Sequence, residues 1–367
     1  MRWIALLLTG ALVAGCGTPQ STKDPELTVG FVFIADQRDL GYSQAIWEAS
    51  EALARAMPDI RVLRTPGIPE EGGAAEEAME AQIRRGASVV FATSYGYRDA
   101  AYRVARRHPD VVVLHQGGLE KTPRLDNFGT YWGTMEEPVY LAGIVAGSAT
   151  KSGRVGLVAS FPIPAVFNDI NAFLLGARVT RPDATEHVRF VGSWCDPKVQ
   201  RRAAEELLAA GVDVITQHLD CTRPILETAE QAGINSIGFH LDGSEAAPRG
   251  YLVGSVWNWT DLLVDAVRII RRGEFKESKY NGDFRGGLAT GDNPFVLSEI
   301  TGPASPETRE LVADAEARMR SGWSPFTGPI VDRDGRVRQP DGVKPKRSEI
   351  DHMDYVIEGV VGTIPPH

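Results

Sequence analysis

Three short segments of the chain place chemically capable side chains side by side. In Gly192-Ser193-Trp194-Cys195-Asp196 an aromatic ring, a thiol and a carboxylate are contiguous, just after the apolar run 187–191. The triplet His-Leu-Asp occurs twice, at 218–220 and 240–242, and the first copy leads directly into Cys221. Such residues suit a nucleophile, a zinc site or the wall of a pocket. No general base is implied beside Cys195, which argues against a catalytic thiol. Two histidines, two aspartates and Cys221 are competent zinc ligands, but their spacing matches no compact zinc motif. Enzymatic signatures are thin elsewhere. Residues 147–154 have the wrong length for a phosphate loop, and no G-x-S-x-G nucleophile elbow occurs. A nucleoside hydrolase would want clustered aspartates near its first strand, where only Asp36 and Asp39 stand. Residues 328–342 lack the carboxylate spacing of an EF-hand and read as a hairpin turning at Asp334-Gly335. The expectation is a binder with no cofactor, no resident metal and no catalytic duty.

The elements that must hold these residues follow from periodicity. Short β-rich apolar runs alternate with stretches whose apolar residues recur every three or four positions. Strands are expected at 28–35, 60–66, 87–94, 111–117 and 127–133, with helices between them at 42–57, 76–86 and 98–109. A helix at 136–149 opens a second series. Its strands fall at 154–161, 187–194, 212–219, 235–241 and 251–258, and its helices at 166–178, 198–211, 223–233 and 260–273. Continuous apolar strands separated by helices imply parallel sheets covered on both faces. The fold class is therefore α/β, with two doubly wound lobes. Ligands of such sheets sit at the carboxyl ends of the strands. Residues at those ends include Asp39, Tyr42, Ser94, Tyr95, Phe161, Trp194, Asp220, Asp242, Asn258 and Trp259. Aromatics and carboxylates dominate, which suits a flat molecule with polar edges.

The 367 residues make roughly two domains of ordinary size, and the net charge of −9 argues against a nucleic-acid partner. The first residues read as a secretory leader. Arg2 precedes an apolar stretch at 3–13, too short to span a bilayer, which needs about 20 residues. Val13-Ala14-Gly15-Cys16 resembles a bacterial lipobox, which implies cleavage before Cys16 and acylation of that cysteine. The alternative is a plain cleaved signal with an incidental cysteine. Residues 17–26 form a polar tether.

Several pieces, in order along the chain, resemble the basic membrane protein family: 39–48, 91–111, 140–147, 151–164, 192–199, 211–218, 328–335 and 353–362. Members of that family are lipid-anchored substrate-binding proteins of ABC importers, several of them purine nucleoside receptors. The resemblance implies a type I periplasmic-binding fold with a ligand clamped by hinge closure. It places the first lobe at 27–135 plus 259–286 and the second at 136–258 plus 287–367. It also implies partners: a small purine ligand, a permease with its separate ATPase, and the membrane through the lipid, for a monomer outside the cytoplasm. A sensory receptor with the same ligand is the reading of another class.

On this template Tyr42 and Trp194 are the stacking aromatics, one from each lobe. Asp39 and Asp196 are each either ligand contacts or helix caps, with capping the better reading for Asp196. Ser94 is either a ligand contact or a cap. In nucleoside-binding relatives an acid near Asp242 holds ribose hydroxyls and a lysine in the next strand assists it. Residues 254–261 contain no lysine, with Asn258 at or near its place. That departure favours a free base such as adenine over a nucleoside, with Trp257 or Trp259 filling the sugar's space. Cys195 and Cys221 follow strands expected to flank a third, about 9–10 Å apart, so a disulfide between them requires their loops to converge.

Overall fold

The computed structural model describes residues 27–117 and 123–366. Cys16 and the tether lie outside the described residues.

The first lobe is built on β1 (Leu27–Phe33), β2 (Ile60–Thr65), β3 (Val89–Thr93), β4 (Val112–Gln116) and β5 (Phe128–Gly133), joined by α1 (Tyr42–Ala56), α2 (Ala74–Arg84) and α3 (Arg98–Arg107). All five residues of β3 and all but the first of β1 are buried, because helices cover both faces of the sheet.

The chain then enters the second lobe through α4 (Glu136–Ala149). It continues as β6 (Arg154–Ala159), α5 (Pro164–Thr180), β7 (Thr185–Phe190), α6 (Pro197–Ala209), β8 (Val214–His218), α7 (Arg223–Ala232), β9 (Asn235–His240) and β10 (Tyr251–Trp257). Helix α8 (Thr260–Arg271) returns to pack on α1, and β11 (Asp283–Gly286) pairs in parallel with β5. Strand β12 (Phe295–Leu297) crosses back and pairs antiparallel with β10. The tail adds α9 (Pro306–Arg320), the hairpin β13 (Ile330–Val331) and β14 (Val337–Gln339), α10 (Arg347–Asp351), and β15 (Val360–Val361) beside β7. Gly335 takes a φ of 83° in the hairpin turn, a conformation open to glycine.

The first sheet runs β11-β5-β4-β3-β1-β2 and the second β12-β10-β9-β8-β6-β7-β15. Strand order reverses beside β1 and again beside β6. The chain passes from the first sheet to the second between β5 and β6, returns between β10 and β11, and leaves again between β11 and β12. Helix α4 is buried from Glu136 to Gly147. It lies so close to α5 that a Cβ on Gly143 would stand 2.3 Å from the Phe173 carbonyl oxygen, which accounts for the small residues of 142–147. Among the described residues no helix is long and apolar enough to cross a membrane.

Candidate functional site

The two reversal points face each other, and a cavity of about 360 Å³ lies between them. The first lobe supplies Tyr42 from the start of α1, Glu70 from the loop after β2, Ser94 and Tyr95 after β3, and Trp132 on β5. The second supplies Asn168 and Asp169 from the first turns of α5, Trp194 after β7, His218 and Asp220 at the end of β8, and His240 at the end of β9. Arg285 of β11 and Arg347, Asp351 and His352 of the tail close one end.

Local structure fixes each group. Glu70 accepts hydrogen bonds from the Ser94 hydroxyl at 2.5 Å and from the Gly96 amide at 2.8 Å, so Ser94 serves the loop rather than a helix cap. Buried His115 holds the same loop through the Ser94 and Tyr95 carbonyls, and burial pushes its pKa down to about 4. With carbonyls as acceptors, its Nε2 must carry the proton. His218 Nδ1 pairs with Asp169 Oδ2 at 2.8 Å. Burial raises the Asp169 carboxyl, against the opposing pull of His218. His240 accepts from the Trp257 indole at 2.8 Å, and burial holds it neutral, well below the ordinary histidine range. Its φ of 69° puts a non-glycine residue in the left-handed region on the cavity wall, a strain typical of functional positions. Trp257 in turn stacks on Trp259, centroids 4.2 Å apart.

The lobes are in contact. The Tyr42 amide donates to the Asp220 carbonyl at 3.1 Å, and Thr222 Oγ1 donates to the Leu40 carbonyl. The Tyr42 ring lies 5.5 Å from His240 and 6.2 Å from Trp132. Burial, followed by the nearby charges of Asp39 and Glu70, raises the Asp220 carboxyl well above its usual range.

Of the residues singled out from sequence, Tyr42, Ser94, Tyr95, Trp194, His218, Asp220 and His240 line this cavity. The others do not. Asp39 accepts from the amides of Gly41, Ser43 and Gln44 at 2.9–3.0 Å, so its carboxylate is spent on the start of α1. Phe161 packs behind Trp194, ring to ring at 5.3 Å. Asp242 closes its own turn by accepting from the Ser244 amide. Asn258 lines a separate pocket with Asp261 and Lys279. Trp259 is buried beneath Trp257. Asp196 caps α6 by accepting from Lys198 and Val199. Cys195 and Cys221 are bonded, their Cα atoms 5.1 Å apart, because the loops after β7 and β8 converge over the end of β6. Among the described residues no group of three or more His, Cys, Asp or Glu is placed to hold a metal, and Cys221, His218 and His240 each have another partner.

Sequence reasoning missed Glu70, Trp132, Asn168, Asp169, Arg285 and the tail residues. Trp132 stands at the end of a strand and was findable by that rule. Arg347 bonds Asp351 at 2.8 Å, a pair four residues apart on α10, and Glu136 at 2.5 Å, a contact across 211 residues that no local pattern announces.

At the crossover, Glu137 accepts from the Leu288 amide and the Asn293 side chain, at 2.8 and 3.0 Å. Burial nevertheless pushes its carboxyl up to about 7. The folded chain then holds a proton that the unfolded chain releases above its ordinary value of 4.5. This contribution to stability is present at low pH and is lost as pH rises from 4.5 through about 7. Glu137→Gln, which keeps an acceptor for both donors, should therefore raise the melting temperature more at pH 8 than at pH 5. Equal shifts at the two pH values would show Glu137 to be ionised in the fold.

Two doubly wound lobes, three crossovers and a cleft cavity at the strand ends define the two-lobed fold of periplasmic-type binding proteins. Solved structures share the fold. A solute-binding protein of an ABC transporter system from Conexibacter woesei superposes with a TM-score of 0.67 at 21% identity, covering 81% of this chain and 97% of that one. A transcriptional activator of the comK gene from Bacillus halodurans gives 0.69 at 21% identity, covering 82% of this chain and all of that one, 100%. The chain belongs to the Bmp family, described as ABC transporter substrate-binding protein PnrA-like, which matches residues 27–291. Among its relatives, a purine-binding protein of Brucella abortus is 31% identical over 93% of this chain and 95% of its own length. A putative ABC transporter glucose-binding protein of Haloferax volcanii is 32% identical over 80% and 72%. The family is extracytoplasmic, and its members are solute-binding proteins that work with a permease and an ATPase rather than enzymes.

Proposed function

We propose that this protein is a lipid-anchored, monomeric receptor that captures a purine base, adenine or a close relative, and presents it to an ABC permease. The observation that carries the reading is that ring systems from opposite lobes face one cavity: Tyr42, Tyr95 and Trp132 from the first, Trp194, His218 and His240 from the second. Flat apolar faces hold a flat ring by stacking, and Glu70 and Asp220 offer acceptors to its N–H edges. The cavity volume of about 360 Å³ is at the small end for ligand pockets, roughly 300–1,000 Å³. The purine-binding relative from Brucella supports the same ligand class. A base is favoured over a nucleoside because Asp242 is engaged in its own turn, Asn258 stands outside the cavity, and Trp257 fills the space behind His240.

Thermal unfolding against adenine, guanine, hypoxanthine, their nucleosides and zinc tests this reading. A ligand of the folded state stabilises by RT ln(1 + [L]/Kd). A large shift with a base and little with its nucleoside is expected. A nucleoside preference would reverse the choice of ligand within the class, and a shift with zinc alone would remove the purine reading. The anchor has its own test. In bacteria the native chain should fractionate with membranes and carry acyl mass on Cys16, whereas Cys16→Ser should be soluble. A soluble native chain would make Cys16 incidental.

A further inference from the structure

The loop bearing Trp194 is pinned at its ends, where the Gly192 amide donates to the Ser160 carbonyl at 2.9 Å and Asp196 caps α6, but it has few backbone anchors between them. Gly192 takes a φ of 65°, Cys195 is exposed, and the Cys195 amide bonds only within the loop, to Ser193. The loop after β8 is held far better. Leu219 and Thr222 are fully buried, Cys221 is buried, and Thr222 reaches the Leu40 carbonyl of the first lobe. Two links join the loops. The Asp220 amide donates to the Trp194 carbonyl at 2.9 Å, and the next residue of each loop, Cys195 and Cys221, forms the disulfide. Asp220 is also the residue whose carbonyl receives the Tyr42 amide across the cleft. The bridge thus ties an aromatic wall of the cavity to the backbone segment on which the lobes meet.

We infer that Cys195 and Cys221 are a positioning pair for ligand capture: their disulfide locks Trp194 to the closure contact at Asp220, so that the second-lobe ring is already in place when the lobes meet. The inference rests on the cavity being the ligand site. A ring held in advance loses less freedom on binding than one carried on a loose loop, and ordering such a group is paid from affinity. Trp194 and the bridge then act as one unit, and removing either removes most of what the other contributes.

The test is a double-mutant cycle read by adenine titration calorimetry on the native chain, Trp194→Ala, Cys195→Ala/Cys221→Ala, and the three changes combined. The bridge-free variant should unfold cooperatively yet bind adenine roughly ten-fold more weakly. Trp194→Ala should cost clearly less in that background than in the native chain, because coupled residues are not additive. A second arm reduces the folded native protein with a phosphine, which becomes its oxide by taking oxygen from water as the two sulfurs become thiols; affinity should fall by the same factor. Undiminished affinity without the bridge, or strictly additive losses, would overturn the inference while leaving the purine reading intact. A native chain that binds no purine would overturn both. Loss of folding in both the variant and the reduced protein would make the bridge a staple of the fold and also overturn a positioning role.

Discussion

A Gly41→Ala variant should fold as the native chain does and yet lose ligand affinity by about 5- to 150-fold. The φ of Gly41, −163°, lies outside the left-handed region that favours glycine. The obstacle is across the cleft. A Cβ on Gly41 would stand 1.6 Å from the Asp220 carbonyl oxygen, the atom to which the Tyr42 amide donates. That neighbour is backbone and cannot swing aside, so the lobes must separate by a fraction of the contact. Overpacking of this kind costs about 1–3 kcal/mol. The cost falls on the closed form alone. Unliganded melting should therefore stay near the native value, while adenine titration shows the loss and small-angle scattering shows a more open particle with ligand. Native affinity in this variant would mean that closure through Gly41 and Asp220 is not needed for binding.

Trp194→Ala should weaken adenine binding by a similar factor, for a different reason. Stacking of a base on an aromatic ring is worth about 1–3 kcal/mol by alanine substitution. The Trp194 ring is half-buried and touches Phe161 and His218 at the cavity edge, so its removal leaves the sheets and helices undisturbed. Trp194→Phe should restore much of the affinity, since a ring face remains. Quenching of tryptophan fluorescence by adenine should be reduced in both variants. An alanine variant that binds as well as the native chain would place the ligand elsewhere in the cavity, against Tyr42 and Trp132.

The site was legible where local rules reach and obscure where they do not. Strand-end positions are countable from the alternation of apolar runs and helices, and this rule led to Tyr42, Ser94, Tyr95, Trp194 and Asp220. The same rule also proposed Asp39, Asp242 and Asn258, because it cannot say how a polar group is spent. Asp39 meets three backbone amides within five residues of itself, and Asp242 meets one. Trp259 and Phe161 show the matching ambiguity for rings. Each sits one layer behind the cavity, stacked on or packed against a ring that reaches it or backs it.

What the amino-acid order determined by itself is whatever depends on neighbours along the chain. Apolar periodicity sets the two βα series, Asp196 before Pro197 sets the start of α6, and Asp334-Gly335 sets the hairpin of the tail. What only the tertiary structure decided is whatever depends on groups brought together from afar. Arg285, Glu136, Arg347 and Asp351 assemble one end of the cavity from three separated stretches. Cys195 meets Cys221 because β7 and β8 flank β6 and their loops fold toward each other. Periodicity reports which face of an element is buried, whereas a binding site is made by the register between elements, and that register is set by packing of the whole core.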